Sequence, residues 1–473
     1  MKNKIILLLT FGLFFGGCDK GFEELNTNPN EPVTVASGLL TADVVRIASN
    51  TLYSTFVGGD MGACWSQQLA KVQYNNEARY IPRESILESI WKSFYTDVIE
   101  GAKNIQDVAT TEGNEAMQAV GLVMQAYGYS VLTDMYGAIP FSEALQPDLT
   151  FTPKYDTQEE VYTGILAMLD EANTLLNTGS GSILATSDIL YGGDASKWQK
   201  FANSLKFRCL MRISAKKDVS ADLQDIASNR NVFGSNDDEA KVIYLGADPN
   251  ANPIYETVVF GNRAEWKVNS VLVEMLEELN DPRLPVYAQV NEDGVYRGKP
   301  SGYAVIPDEW NFTNVSAIGE AFLTPEAPGY FMSYAELQFL MAEAVEKGYI
   351  SGDAASFYNA GVQANFVANG LLAQFDAYIA QSNVAYSSDN AMELIGHQKW
   401  LALFCQGVES WTEQRRTGYP SLEIAIDPAP GVNTIPTRYT YPDIEQSVNG
   451  ESYNAAVTAQ GEDLLTTKIW WME

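Results

Sequence analysis

The chain has 473 residues, with 60 Asp and Glu against 30 Lys and Arg, a net charge of −30 at pH 7, and 46% of its residues are hydrophobic. That apolar content suffices for a large buried core, while so acidic a surface repels phosphate backbones and excludes nucleic acid as a partner. The same charge disfavours anionic ligands unless a local basic pocket overrides it.

Lys2 and Lys4 give the chain a positive start, and Ile5 to Phe15 is an apolar run of signal-peptide length. It is too short to cross a bilayer, which takes about 20 helical residues. Gly16 and Gly17 supply small residues before a cleavage point, and Cys18 follows them. Together they predict a lipoprotein signal over residues 1–17, with lipid on Cys18 holding the mature chain to a membrane. Phe15 departs from the usual signal, which has Leu there. Residues 18–36, rich in Asn, Pro and acid, predict an extended tether. Residues 37–473 read as a single mainly α domain.

Within it, helical spacing of apolar residues predicts helices over 37–57, 85–109 and 114–135. In the third, Val120, Val123, Met124, Tyr127 and Val131 share a face, and Gly137 and Pro140 end it. Thr157 with Glu160 three residues on forms a capping box for a helix through Leu176. Asp194 caps one that carries Trp198, Phe201, Leu205 and Leu210. Two more are expected at about 333–347 and 352–368, and another at about 388–406. Paired helices with short connections predict stacked hairpins of the tetratricopeptide kind. Residues 230–332 and 416–473 instead hold Asn, Pro, Gly and aromatics, predicting long ordered loops with small strand pairs, such as Lys241 to Leu245.

The chemistry of catalysis is missing. His397 is the only histidine, so a multi-histidine zinc site is excluded, and its apolar helical neighbours Leu394 and Leu401 mark it as structural. No glycine-rich phosphate loop occurs. Asp237-Asp238-Glu239 lacks the alternation of a calcium loop and reads as a solvated acidic turn. Cys64, Cys209 and Cys405 are widely spaced and odd in number, which predicts buried thiols rather than a disulfide framework. No cofactor and no metal is expected.

Several segments in fixed order carry a family resemblance. They are Asn26-Thr27-Asn28-Pro29-Asn30 after the lipid signal, Leu279-Asn280-Asp281-Pro282-Arg283-Leu284, and the helix from Ser333 to Ala344. Gln398 to Phe404 leading to Trp411 through Pro420, and Arg438-Tyr439-Thr440-Tyr441-Pro442 with Leu465 to Trp471, complete the set. The chain resembles the SusD/RagB family, in its shorter SusD-like subgroup. That resemblance implies a helical scaffold of tetratricopeptide-like hairpins and a lipoprotein on the outside of the outer membrane of Bacteroidetes. It further implies non-catalytic capture of nutrients, above all oligosaccharides, and their delivery to a SusC-like TonB-dependent transporter. Peptide capture by the same architecture and a surface glycosidase are the alternatives. Arg415 and Arg416 are expected to cap carbonyls or pair with carboxylates inside the scaffold, and Glu336 and Glu343 to hold neighbouring loops.

Sugars present apolar faces and polar rims, so their sites need flat aromatic platforms beside amides or carboxylates. Two loop stretches have that composition. Trp65 through Tyr80 offers Trp65, Tyr74, Asn75 and Tyr80, and the stretch from Tyr303 to Phe312 offers Tyr303 and Trp310. Trp266 is a third candidate.

Overall fold

The computed structural model describes residues 35–146 and 148–473. Cys18, its signal and nearly all of the predicted tether lie outside the described residues. Helix α1 (Ser37–Tyr53) buries Val44, Val45 and Ala48 on one stripe. It stops four residues short of the expected end because Ser54 accepts the Phe56 N–H and starts a separate π-helical segment, Thr55–Ala63. A short strand β1 (Leu69–Lys71) follows. Helix α2 (Glu84–Lys92) then runs through π-helical turns into α3 (Glu100–Glu112).

Gly113, at φ +69°, closes α3 in a left-handed turn that a side chain would strain. Asn114 then caps α4 (Glu115–Tyr136) by accepting the Met117 N–H at 3.2 Å. The strands β2 (Ile139–Pro140) and β3 (Tyr155–Asp156) pair across the next loop. Thr157 and Glu160 make the reciprocal capping box that opens α5 (Gln158–Thr178). Asp194 accepts the N–H groups of Ser196 and Lys197 to open α6 (Ala195–Ile213), which is followed by α7 (Ser220–Asn229).

Consecutive helices pack side by side: α3 on α4, α4 on α5, and α5 on α6. Strand β4 (Ala240–Val242) pairs with β6 (Gly329–Met332), and β5 (Trp266–Val268) with β1. Helix α8 (Ser270–Glu278), absent from the sequence expectation, is capped by Asn269 and buries Leu272, Val273 and Leu276. The hairpin α9 (Tyr334–Glu346) and α10 (Ala354–Ala368) falls where expected. After it, α11 (Ala391–Ala402) and α12 (Gly407–Thr417) pack against each other, and α11 also against α9. The stretch 416–473 departs from the expected strand pairs: it holds helices at Asp443–Val448 and Gly450–Gln460. The second of these buries only Ala456, so no apolar period announces it. The fold is mainly α, with hairpins decorated by loops and three two-stranded sheets among the described residues.

Buried ion pairs lock the helices together. Arg208 of α6 meets Glu336 of α9 at 2.6 Å. Arg212, one turn on, meets Asp134 of α4 at 3.1 Å and Glu409 of α12 at 2.6 Å. Arg416 of α12 holds Glu343 of α9 at 2.5 Å and Glu413 at 2.8 Å, and Lys399 of α11 reaches Glu413 at 2.5 Å. Charges taken out of water are tolerated only when matched this closely. Glu336 and Glu343 thus hold helices rather than loops. Arg415 donates to the carbonyls of Thr437 (2.6 Å) and Asp134 (2.9 Å) with its guanidinium 3.5 Å from the Trp411 ring centre.

His397 sits edge-on to Tyr419, 6.0 Å between ring centres. Cys64, Cys209 and Cys405 are buried free thiols. Asp238 and Glu239 are buried and paired with Lys200 (2.8 Å) and Lys241 (2.9 Å), so that acidic turn is an interior clasp rather than a solvated one. No cluster of metal-ligating side chains occurs among the described residues.

Candidate functional site

The small β1–β5 sheet organises the face on which the expected aromatics fall. The register places Lys71 opposite Trp266 and Ala70 opposite Lys267. Side chains alternate along strands, so Lys71 and Trp266 share one side and Ala70 and Lys267 the other. Lys267 also bridges to Ala317, and Asn269 to Lys299, which adds the segments around 299 and 317 to the sheet edge.

Three loops knit over this edge. The Asn75 amide donates to the Tyr303 carbonyl, tying residues 72–80 to residues 299–305. Residues 425–429 close the third side: Ile426 N–H donates to the Ser301 carbonyl at 3.1 Å, and Asp427 N–H to that of Gly302 at 2.8 Å. The Asp427 carboxylate accepts the Ala304 N–H at 2.8 Å, and its carbonyl accepts the Arg79 Nε–H at 2.8 Å.

The seven expected contacts divide. Trp65 is fully buried; its indole N–H donates to the Glu77 carbonyl at 2.8 Å, and its ring packs edge-on to Trp411 at 5.2 Å and Tyr439 at 5.3 Å. Its loop position in the sequence gave no sign that residues more than 300 positions downstream would cover it, as about the whole chain's packing decides burial. Tyr80 is likewise buried, and its hydroxyl accepts the Ala425 N–H at 2.9 Å, so burial pushes the phenol up to about 12. Trp266 is buried with its N–H on Asp60 at 2.8 Å and its ring against Phe56 and Lys71. These three support the face from behind and offer no open platform.

The others lie on the surface. Tyr74 is 65% exposed, with the Arg263 guanidinium 5.8 Å from its ring centre. Asn75 and Tyr303 are half-buried, and the Lys299 ammonium lies 5.0 Å from the Tyr303 ring. Trp310 is half-buried against Arg297 at 4.4 Å, and its indole N–H has no partner among the described residues. Phe312 is exposed beside the Lys267 ammonium at 5.8 Å. Each ring therefore has a cation within about 6 Å of its centre, the range of cation–π attraction.

A recess of about 340 Å³ opens beside Tyr74, lined by Lys71, Asn76, Glu77, Arg83 and Arg263. Behind two of the lining side chains, the fully buried Asp60 accepts from Lys71 at 2.9 Å and Arg83 at 3.1 Å. Burial lifts the Asp60 carboxyl to about 6 despite the pull of Lys71. A second cavity, of about 160 Å³, lies among Tyr53, Asn252, Tyr287, Tyr330, Asn365 and Phe404. An apolar cavity of roughly 150 Å³ holds a benzene-sized solute, so this one has room for a single ring and not for a chain. The recess beside Tyr74 is the better candidate for an extended ligand.

Sequence reasoning missed the cations. Arg263 and Lys267 flank Trp266, and Arg297 and Lys299 precede Tyr303; basic residues interleaved with aromatics were the available signal.

Comparison with known proteins agrees with this architecture. The sequence matches the SusD-like family profile described as starch-binding associating with outer membrane, over residues 29–442. A SusD homologue from Bacteroides uniformis is 26% identical, with a TM-score of 0.83 over 93% of this chain and 100% of that one. A chitin-binding SusD homologue from Flavobacterium johnsoniae is 25% identical, with a TM-score of 0.81 over 92% and 97% of the two chains. Another structure, a chitin-binding protein, is 27% identical with a TM-score of 0.82, covering 92% of this chain and 99% of its own. A search of curated proteins gave no match. The family is one of binding proteins rather than enzymes. With that profile covering most of the sequence and hairpins, loops and small sheets superposing nearly end to end, the chain belongs to the SusD-like family of proteins associated with the outer membrane.

Proposed function

We propose that this protein captures oligosaccharides at the cell surface and hands them to a SusC-like TonB-dependent transporter, held to the outer membrane by lipid on Cys18. The observation that carries the glycan reading is the tie between Asn75 and Tyr303. It joins two distant loops, one carrying Tyr74 at the recess and the other carrying Tyr303 and, farther along, Trp310 and Phe312. Sugar rings stack on such faces through their apolar C–H sides, while the surrounding amides and charges bind hydroxyls. The chitin-binding activity named for two similar structures supports the same reading.

The test is a glycan array followed by calorimetry on the full chain, with Tyr74→Ala and Trp310→Ala. If sugar stacking resembles base stacking, each truncation weakens binding by about 1–3 kcal/mol. Unchanged affinity in both would remove the ligand from this face. The transporter is tested by affinity purification from membranes, in which a TonB-dependent barrel should accompany the protein. Cys18→Ala should lose membrane fractionation, and a variant that still sediments with membranes would refute the lipid anchor.

A further inference from the structure

The candidate face holds two lysines that no carboxylate of the described residues neutralises. In a chain with twice as many acidic as basic residues, Lys71, Arg83 and Arg263 line the recess on one side of the β1–β5 sheet, while Lys267, Arg297 and Lys299 lie on the β5 strand and the segments bridged to it. Some are neutralised locally. Lys71 and Arg83 share Asp60, Arg83 also meets Glu77, and Arg263 meets Glu265. Arg297 is only loosely held: Glu309 lies 3.4 Å away, and the two side chains are 37% and 60% exposed, so water screens the pair.

Lys267 and Lys299 have no carboxylate partner among the described residues. Lys267 is 6% exposed, its ammonium lies beside the Phe312 ring, and burial alone pushes its pKa down. Lys299 is fully buried, donates only to the neighbouring Pro300 carbonyl at 2.9 Å, and is lowered by burial to about 8. A lysine buried without a counter-charge is rare because desolvation opposes it. Sixty carboxylates were available to pair with these ammonium groups, yet none does so at this face among the described residues.

We infer that the ligand supplies the missing negative charge: the face binds an acidic oligosaccharide, with carboxylate or sulfate groups set on Lys267 and Arg297 while sugar rings stack on Trp310 and Phe312. This inference rests on the glycan reading of the same face and narrows it. The field of Lys267 and Arg297 also answers the objection posed by the net charge, because the cations lie within a few ångströms of the ligand. The bulk of the acidic surface acts across a Debye length of roughly 8 Å at physiological salt.

The experiment uses the lipidated full chain in detergent and three probes: an oligogalacturonate, a chondroitin sulfate oligosaccharide and uncharged chitohexaose. Binding is measured at low and at high sodium chloride. The expected result is at least tenfold tighter binding of one or both acidic probes than of chitohexaose, with affinity falling as salt rises. The oligogalacturonate and the sulfated probe show which anion the face prefers. Lys267→Met should cost at least fivefold for the preferred acidic probe and flatten its salt dependence, and Lys267→Arg should restore both. Arg297→Gln, at an exposed position, should give the same direction where Lys267→Met fails to fold. Chitohexaose binding as tightly as the acidic probes, lost in Tyr74→Ala but indifferent to salt, would overturn the inference and leave the glycan reading standing. Failure of all three probes to bind would overturn both.

Discussion

Glu343→Gln tests whether the interior ion pairs hold the helices as their geometry implies. Glu343 is buried, and both of its oxygens are engaged by Arg416, at 2.6 and 2.5 Å, with Lys347 at 2.8 Å. Burial alone would push its carboxyl up. Arg416, and then Lys347, outweigh that and bring it from 4.5 down to about 2. The folded protein thus favours the ionised form. Its contribution is present above the unfolded value of 4.5 and is lost as pH falls toward 2. Two and a half pH units of preference correspond to about 3 kcal/mol at pH 7, shrinking to about 2 kcal/mol at pH 3.5. Glutamine keeps the shape and removes the charge. Urea denaturation followed by tryptophan fluorescence should therefore show the variant less stable by about 3 kcal/mol at pH 7, with the gap narrowing in acid. A gap below about 1 kcal/mol, the range of exposed pairs, or one that does not change with pH, would refute the assignment.

Trp65→Ala empties the aromatic cluster behind the face and should lower stability by about 3–5 kcal/mol, read as a fall in Tm. Gly407→Ala should be comparably damaging, because its Cβ would fall 1.9 Å from the Gly58 carbonyl oxygen and 2.4 Å from the Ala63 nitrogen. In contrast, Gly450→Ala meets no atom within 4 Å and should leave Tm nearly unchanged. Below about pH 6 the buried Asp60 takes up a proton. Arg83 then keeps Glu77 as counter-charge and Lys71 keeps no carboxylate among the described residues. Affinity for a sulfated oligosaccharide, itself charged throughout, should rise between pH 7 and pH 5, and Asp60→Asn should remove that rise.

Helices were legible wherever one face carried the apolar load. In α4, Val120, Val123, Met124 and Tyr127 stand at helical spacing, and α5 announces its first turn with Thr157 and Glu160. The weakly amphipathic helix at Gly450–Gln460 was not legible, since it buries a single alanine, whereas α8 carries its own helical signal in Leu272, Val273 and Leu276 behind Asn269 and was masked only by the Asn-, Pro- and Gly-rich sequence around it. Of the candidate site, loop location was legible and burial was not. Tyr74 and Trp65 sit nine positions apart in similar surroundings, yet Trp411 and Tyr439, far along the chain, cover only Trp65. The clustering of Lys267 and Lys299 arises from strand register and a parallel bridge, neither of which has a local sequence signature.

The three buried thiols bear on how this molecule responds to its surroundings. Burial pushes Cys209 up to about 12, and Cys64 and Cys405 higher still, so the nucleophilic thiolate is scarce and shielded. The long-range ties between α4, α6, α9, α11 and α12 are electrostatic instead. Thiol–disulfide exchange therefore finds no bridge to cut among the described residues and only shielded thiols to join, whereas strong acid reaches the same ties one proton at a time. The cross-links of this scaffold answer to protons rather than to electrons.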